Sequence, residues 1–131
     1  MRVVVLATIC LAAGAASAQP LETSGIVATW SGIGFQVDAL GLQTSWDIEL
    51  SLKSESSATV SYPSLNCTGE LTRNKGASRR IEFTEHITQG DCVDGGRVSI
   101  TLENGRLFWF WTKPEMDIDA SAVLYRDKPL S

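Results

Sequence analysis

The residue with the most chemical leverage in this sequence is Glu85. It lies in Ile81-Glu82-Phe83-Thr84-Glu85-His86-Ile87, where apolar side chains recur at every second position. That rhythm places Glu85 on the same face as Ile81, Phe83 and Ile87. A carboxylate on an apolar face must be paired, hydrogen-bonded or protonated, because burying it bare costs several kcal/mol. Two roles follow. It is a polar anchor inside a ligand cavity, with an elevated pKa, or it has a structural role, either paired with an arginine or tyrosine or placed near the barrel mouth where water reaches it. Trp30, Trp46, Trp109 and Trp111 extend the first role, since aromatic walls with few polar groups suit an apolar or planar ligand. The same four also serve as bulky core for a small domain. Leu107-Phe108-Trp109-Phe110-Trp111 is aromatic on both faces. With Leu107, Trp109 and Trp111 inward, Phe108 and Phe110 point outward and form a contact surface, unless residues 20–25 or the C-terminal tail cover them.

Other chemistry is thinly supplied. His86 is the one histidine, and it alternates onto the polar face; no Gly-x-Ser-x-Gly elbow exists. Hydrolysis by paired carboxylates needs two acids facing one cleft, and Glu85 alone is a candidate for an interior position. Asp91 and Asp94 flank Cys92, and Glu115, Asp117 and Asp119 alternate after Pro114, but neither set matches a calcium-loop pattern. Two cysteines and one histidine fall short of a structural zinc set. Neither a metal nor a cofactor is expected. Asn66-Cys67-Thr68 fits a glycosylation acceptor only formally, with cysteine in its middle position.

The elements that position these residues begin after an expected leader. Met1-Arg2 carries a positive charge, Val3 to Leu11 is almost unbroken apolar chain, and Ala16-Ser17-Ala18 is a small-x-small cleavage signal. The apolar run falls short of the ~20 residues that span a bilayer, so residues 1–18 read as a signal peptide and 19–131 as a single mature domain. The expected location is periplasmic or secreted, with no membrane span in the mature chain. Removing the leader takes Cys10 with it, and Cys67 and Cys92 remain. An even count in an oxidising compartment argues for one disulfide between them. With 44% hydrophobic and 20% charged residues over 131 positions, the chain is ordinary globular material rather than a disordered tail. Its net charge of −4 argues against nucleic acid as a partner.

Strict alternation recurs along the mature chain. Trp46, Ile48, Leu50 and Leu52 oppose Asp47, Glu49, Ser51 and Lys53; Val98, Ile100 and Leu102 oppose Arg97, Ser99 and Thr101. No stretch sustains a helical period. Asn104-Gly105 is the preferred pair for a two-residue hairpin, and Asn74 to Ser78, Asp94-Gly95-Gly96 and Tyr62-Pro63-Ser64 punctuate the chain elsewhere. The spacing predicts an all-β chain of about eight strands, near residues 25–36, 45–53, 57–62, 65–73, 79–88, 96–103, 106–112 and 118–126. An antiparallel up-and-down barrel removes exposed edges and is the expected closure; a β-sandwich is the alternative. Gly32 and Gly34 share the face of Trp30, where they permit sharp coiling of a small barrel or the close approach of a ligand or second backbone.

The stretch Tyr62-Pro63-Ser64-Leu65-Asn66-Cys67-Thr68-Gly69, followed by Gly90-Asp91-Cys92-Val93-Asp94-Gly95-Gly96, resembles a small extracytoplasmic bacterial β domain. That domain also occurs attached to some actinobacterial serine/threonine kinases. The resemblance runs from about Trp30 to Tyr125, and the domain type has no assigned activity. It therefore implies secretion and the Cys67–Cys92 bridge, with no kinase motif in this chain. A looser likeness is to lipocalin-like and avidin-like barrels, which open with a glycine and a tryptophan on the first strand. Here Trp30 precedes Gly32, whereas in those barrels the glycine comes first.

Together these features predict a non-catalytic binding module with Glu85, Trp30, Trp46, Trp109 and Trp111 around a small apolar ligand. The alternative is a protein-interaction or inhibitor domain that uses Phe108, Phe110 and the loop around Cys92. The partner is an unidentified small molecule or extracytoplasmic protein in either case.

Overall fold

The computed structural model describes residues 23–127 apart from 39, 55 and 75–79. The expected leader therefore lies outside the described residues, as does most of the turn expected at 74–78. Eight strands form one closed antiparallel barrel, each hydrogen-bonded to the next in sequence and the last to the first. They are β1 (Ala28–Val37), β2 (Gln43–Leu52), β3 (Ser57–Tyr62), β4 (Cys67–Arg73), β5 (Ile81–Gln89), β6 (Arg97–Glu103), β7 (Arg106–Lys113) and β8 (Ile118–Arg126). Closure, not a two-sheet sandwich, is how the alternating chain hides both its inward face and its edges. Among the described residues, no helix is long and apolar enough to cross a membrane.

The first expected strand begins too early. Residues Thr23–Ile26 form a single helical turn, α1, rather than an extension of β1. The reason lies in tertiary packing. Ile26 is fully buried, and its carbonyl accepts the Trp30 indole N–H at 2.9 Å. The chain thus bends across the barrel end instead of running along its wall. From β8, the Arg126 guanidinium lies over the Trp30 ring, 5.1 Å from its centroid, and donates to the Gly25 carbonyl. This end of the barrel is closed. Above it Ile48, Leu50, Phe83, Ile100, Leu107 and Leu124 are fully buried and fill the lower interior.

Asn104 and Gly105 take φ of 52° and 76° between β6 and β7, as the expected tight hairpin requires. The loops at the opposite end are built differently. Pro63–Leu65 and Pro114–Met116 are both single 3-10 turns, ended by Asn66 and Asp117 at φ of 55° and 54°. The N–H of each terminating residue returns to the proline carbonyl, at 3.2 Å and 3.1 Å. Proline fixes the entry of each turn, and Asn and Asp tolerate the left-handed exit. The β3–β4 and β7–β8 connections are thus the same device.

Cys67 and Cys92 are bonded, with Cα atoms 6.1 Å apart, and tie the start of β4 to the β5–β6 loop. Their 25-residue separation corresponds to about 3.5 kcal/mol in the chain-entropy account of cross-linking. That loop rises over the end of the barrel opposite α1.

Candidate functional site

The open end is lined by the ends of four hairpins. β1 delivers Gln36, β2 carries Thr44, Ser45 and Trp46 near its start, β3 ends in Tyr62, and Trp111 lies near the end of β7. Between them lies a pocket of about 410 Å³ that reaches down to Glu85 and Trp109 and is bordered by Cys92 and Val93. The register explains why there is space here. One row across the wall reads Trp109, Ala122, Gly34, Trp46, and the next reads Trp111, Ala120, Gln36, Thr44. In the first row Ala122 and Gly34 stand between the indoles of Trp109 and Trp46, and in the second Ala120 stands beside Trp111, which leaves room between the rings. A Cβ on Gly34 would lie 3.0 Å from the Trp46 ring, and one on Gly96 only 2.2 Å from Trp111 Nε1. Both glycines are needed because an indole lies flat against the backbone.

Glu85 is at the floor of this pocket and only 2% exposed. Tyr62 donates its hydroxyl to Glu85 Oε2, and the Trp111 indole N–H donates to Oε1 at 3.0 Å. The main chain of Glu85 is held as well: its N–H donates to Gly96 O at 2.8 Å, and its carbonyl accepts from Gly95 N–H at 3.0 Å. Burial pushes the Glu85 carboxyl above the usual carboxylate range. The Tyr62 and Trp111 hydrogen bonds pull against that rise, while the negative charge of Asp94 adds to it. Burial, followed by the charge of Glu85, drives the Tyr62 phenol far up, so it remains a donor. The pair of roles open for Glu85 in the sequence merges here: it has a tyrosine partner and also faces a cavity. Trp109, 2% exposed, has an indole N–H with no acceptor among the described residues.

The other expected site residues divide by position. Trp46, Trp109 and Trp111 gather with Glu85 around the pocket. Trp30 does not; it is at the closed end, 1% exposed, beneath Arg126. The cause is strand direction. Trp30 starts β1 and Trp111 ends β7, two strands that run the same way, so they stand at opposite ends. Tyr62 is the side chain around this pocket that sequence reasoning did not single out, although it alternates in phase with Ala58 and Val60 at the end of its strand.

Phe108 and Phe110 do point outward, each 38% exposed, and Ile33, Phe35 and Tyr125 of neighbouring strands join them. Phe108 and Ile33 both pair with Val123, so an apolar strip crosses the outer face of β7, β8 and β1 in a groove that Arg80, Ser99, Thr101 and Ser121 also line. Gly25 and Ile26 pack at the barrel end rather than on this groove.

The acidic loops serve the fold. Asp94 accepts the Ile87 N–H at 2.7 Å and approaches His86 at 3.4 Å, and the Ile87 hydrogen bond leads in lowering its pKa. Asp119 accepts the Thr112 hydroxyl at 2.7 Å, Glu115 stands 3.6 Å from Lys113, and Asp117 ends a turn. Among the described residues no group of three His, Cys, Asp or Glu side chains is arranged to hold a metal.

No family model, curated protein or solved structure matches the chain significantly.

Proposed function

We propose that this protein is a non-catalytic binding module of the periplasm or extracellular medium that holds a small apolar molecule in the open end of its barrel. The observation that carries this is the pocket of about 410 Å³ at one end of the barrel, walled by Trp46 and Trp111 and floored by a buried carboxylate. Its size lies within the range of small-molecule sites, and its mixture of aromatic walls with a few convergent polar groups is what such sites share. The Cys67–Cys92 bond supports the compartment, being stable where thiols are oxidised. The test is retention. Incubated with the low-molecular-weight fraction of its host's culture and recovered by gel filtration, the protein carries compounds that mass spectrometry detects. Val93→Trp, which fills the pocket from its border, loses them. Empty wild-type protein, or equal retention by Val93→Trp, overturns the proposal.

A second reading is favoured by the outer groove, whose apolar side chains are more contiguous than a solvated barrel wall requires. On that reading the protein contacts another protein through Phe108 and Phe110. Phe108→Ser/Phe110→Ser then abolishes partner capture while small-molecule retention is unchanged.

A further inference from the structure

The lining of the open end is chemically one-sided. Aromatic faces and carboxylates are present, and among the described residues no Lys or Arg lines it. Glu85 lies at its floor and Asp91 is exposed at its border. The other charged groups near Glu85 do not offset this. Asp94, on the loop above, adds negative charge; His86 faces Asp94 from outside the barrel wall; Lys113 is occupied, with Nζ 2.8 Å from the Asp94 carbonyl and 3.6 Å from Glu115. Tyr62 and Trp111 each donate to Glu85 and bring no cation.

The carboxylate is also incompletely used. Each of its oxygens accepts one hydrogen bond from the protein, although an ionised carboxylate has about four acceptor sites. In a poorly hydrated site, the strongest addition to such a group is a positive donor. Indole faces favour the same sign of charge, because the negative face of the ring attracts a cation, and tryptophan does so best. Trp46 and Trp111 line the same pocket as Glu85.

Resting on the pocket reading above, we propose that the ligand is an organic cation: an ammonium group carried on an apolar or aromatic body, with the charge directed at Glu85 between the tryptophans. Anionic lipids, phosphates and carboxylic acids are the molecules this lining rejects, since they would bring a like charge against Glu85 and Asp91.

The probes are three molecules of similar size: phenethylammonium, which carries three N–H donors, its neutral carbon isostere propylbenzene, and 3-phenylpropionate. Binding is read from the indole N–H signals of the intact protein by NMR, where Trp111 reports the pocket and Trp30, at the other end, serves as the internal control. The cation moves the Trp111 signal and binds at least about tenfold tighter than the neutral isostere, in line with a desolvated cation–π contact plus charge pairing. The anion leaves the signal in place. Glu85→Gln takes away most of the cation's advantage over the neutral probe, leaving the part owed to the indoles and Asp91, and leaves the neutral probe unchanged. An amide at this position keeps an oxygen for Trp111 and offers its NH₂ to the Tyr62 oxygen, so the hydrogen-bonded floor is preserved. Asp91→Asn, exposed and outside the core, reads the same preference without touching the floor: cation affinity falls about twofold at low salt and the fall vanishes at high salt. Equal or tighter binding of the neutral or anionic probe, or a cation preference undiminished in Glu85→Gln, overturns the cation while the pocket reading stands. If none of the three probes moves the Trp111 signal, both fall.

Discussion

Each end of the barrel buries a tryptophan, and what its indole N–H meets separates the two. At the closed end Trp30 donates to a main-chain carbonyl, Ile26 O, and its ring lies under Arg126. Both groups of that site are complete within the protein, and the surrounding side chains leave no space. At the open end Trp111 donates to a carboxylate that itself retains unused acceptor capacity and faces a cavity. A backbone acceptor satisfies a donor without carrying charge, so the closed end can be packed to ordinary core density. A buried carboxylate always asks for more partners than a packed core can provide. One end contributes stability, and the other trades some of it for a polar group aimed at a pocket.

The widest separation of the two ends comes from Trp30→Ala. It removes a fully buried side chain and exposes the seat of α1, at about 3–5 kcal/mol measured by urea unfolding. Probe binding at Trp111 persists wherever the variant is folded. A loss of only a few tenths would mean that α1 does not plug the barrel.

A smaller effect belongs to the open end and depends on pH. Glu85 has a folded-state pKa above its ordinary value, so between those two values the folded protein holds a proton that the unfolded chain has released. Its contribution to stability is therefore complete below the ordinary value and declines as pH rises through the elevated one. The decline amounts to about 1.4 kcal/mol for every tenfold weakening of the acid. Unfolding curves of wild type and Glu85→Gln, collected from about pH 4 to about 8, give a difference that moves against wild type as pH rises. Asp94, lowered by the Ile87 N–H, has the opposite sign, with stability lost as pH falls through its depressed value. A wild-type-minus-Gln difference that is flat over the range would remove the open end from the comparison.

The smallest change is Arg126→Ala. Cation–π contact with a partly exposed arginine, and one hydrogen bond to Gly25 O, together stabilise by about 1 kcal/mol. The difference is read from the same unfolding curves, and the open end should bind probes as before.

Much of this architecture was legible in the alternation of side chains. Ile81, Phe83 and Glu85 follow a two-residue period, and that period alone put Glu85 indoors; Phe108 and Phe110 were placed outdoors by the same count. Asn104-Gly105 announced its hairpin because few residue pairs accept positive φ twice. The misplacement of Trp30 has a clear origin. A two-residue period reports which face a side chain occupies and is silent about height along the barrel. Height was nonetheless recoverable, since alternate strands of an up-and-down barrel run in opposite directions. Trp46 begins an even strand and Trp111 ends an odd one, so they meet; Trp30 begins an odd strand and cannot join them. Tyr62 ends an odd strand and could have been added by the same count. The turn at Thr23–Ile26 had no comparable signal, because four residues cannot display a helical period.

The order of residue types along the chain was enough to set the strands, their faces and the hairpin, since each depends on neighbours in sequence, and the pairing of Cys67 with Cys92 followed from the expected loss of Cys10 with the leader. Which inward side chains stand at one level, and whether they fill the space there, depended on closing β8 against β1. That step set Ala120, Ala122 and Gly34 between the tryptophans of β7 and β2 and opened the pocket above Glu85. Volume left among side chains is a property of strands brought together around an axis, and no single strand carries it.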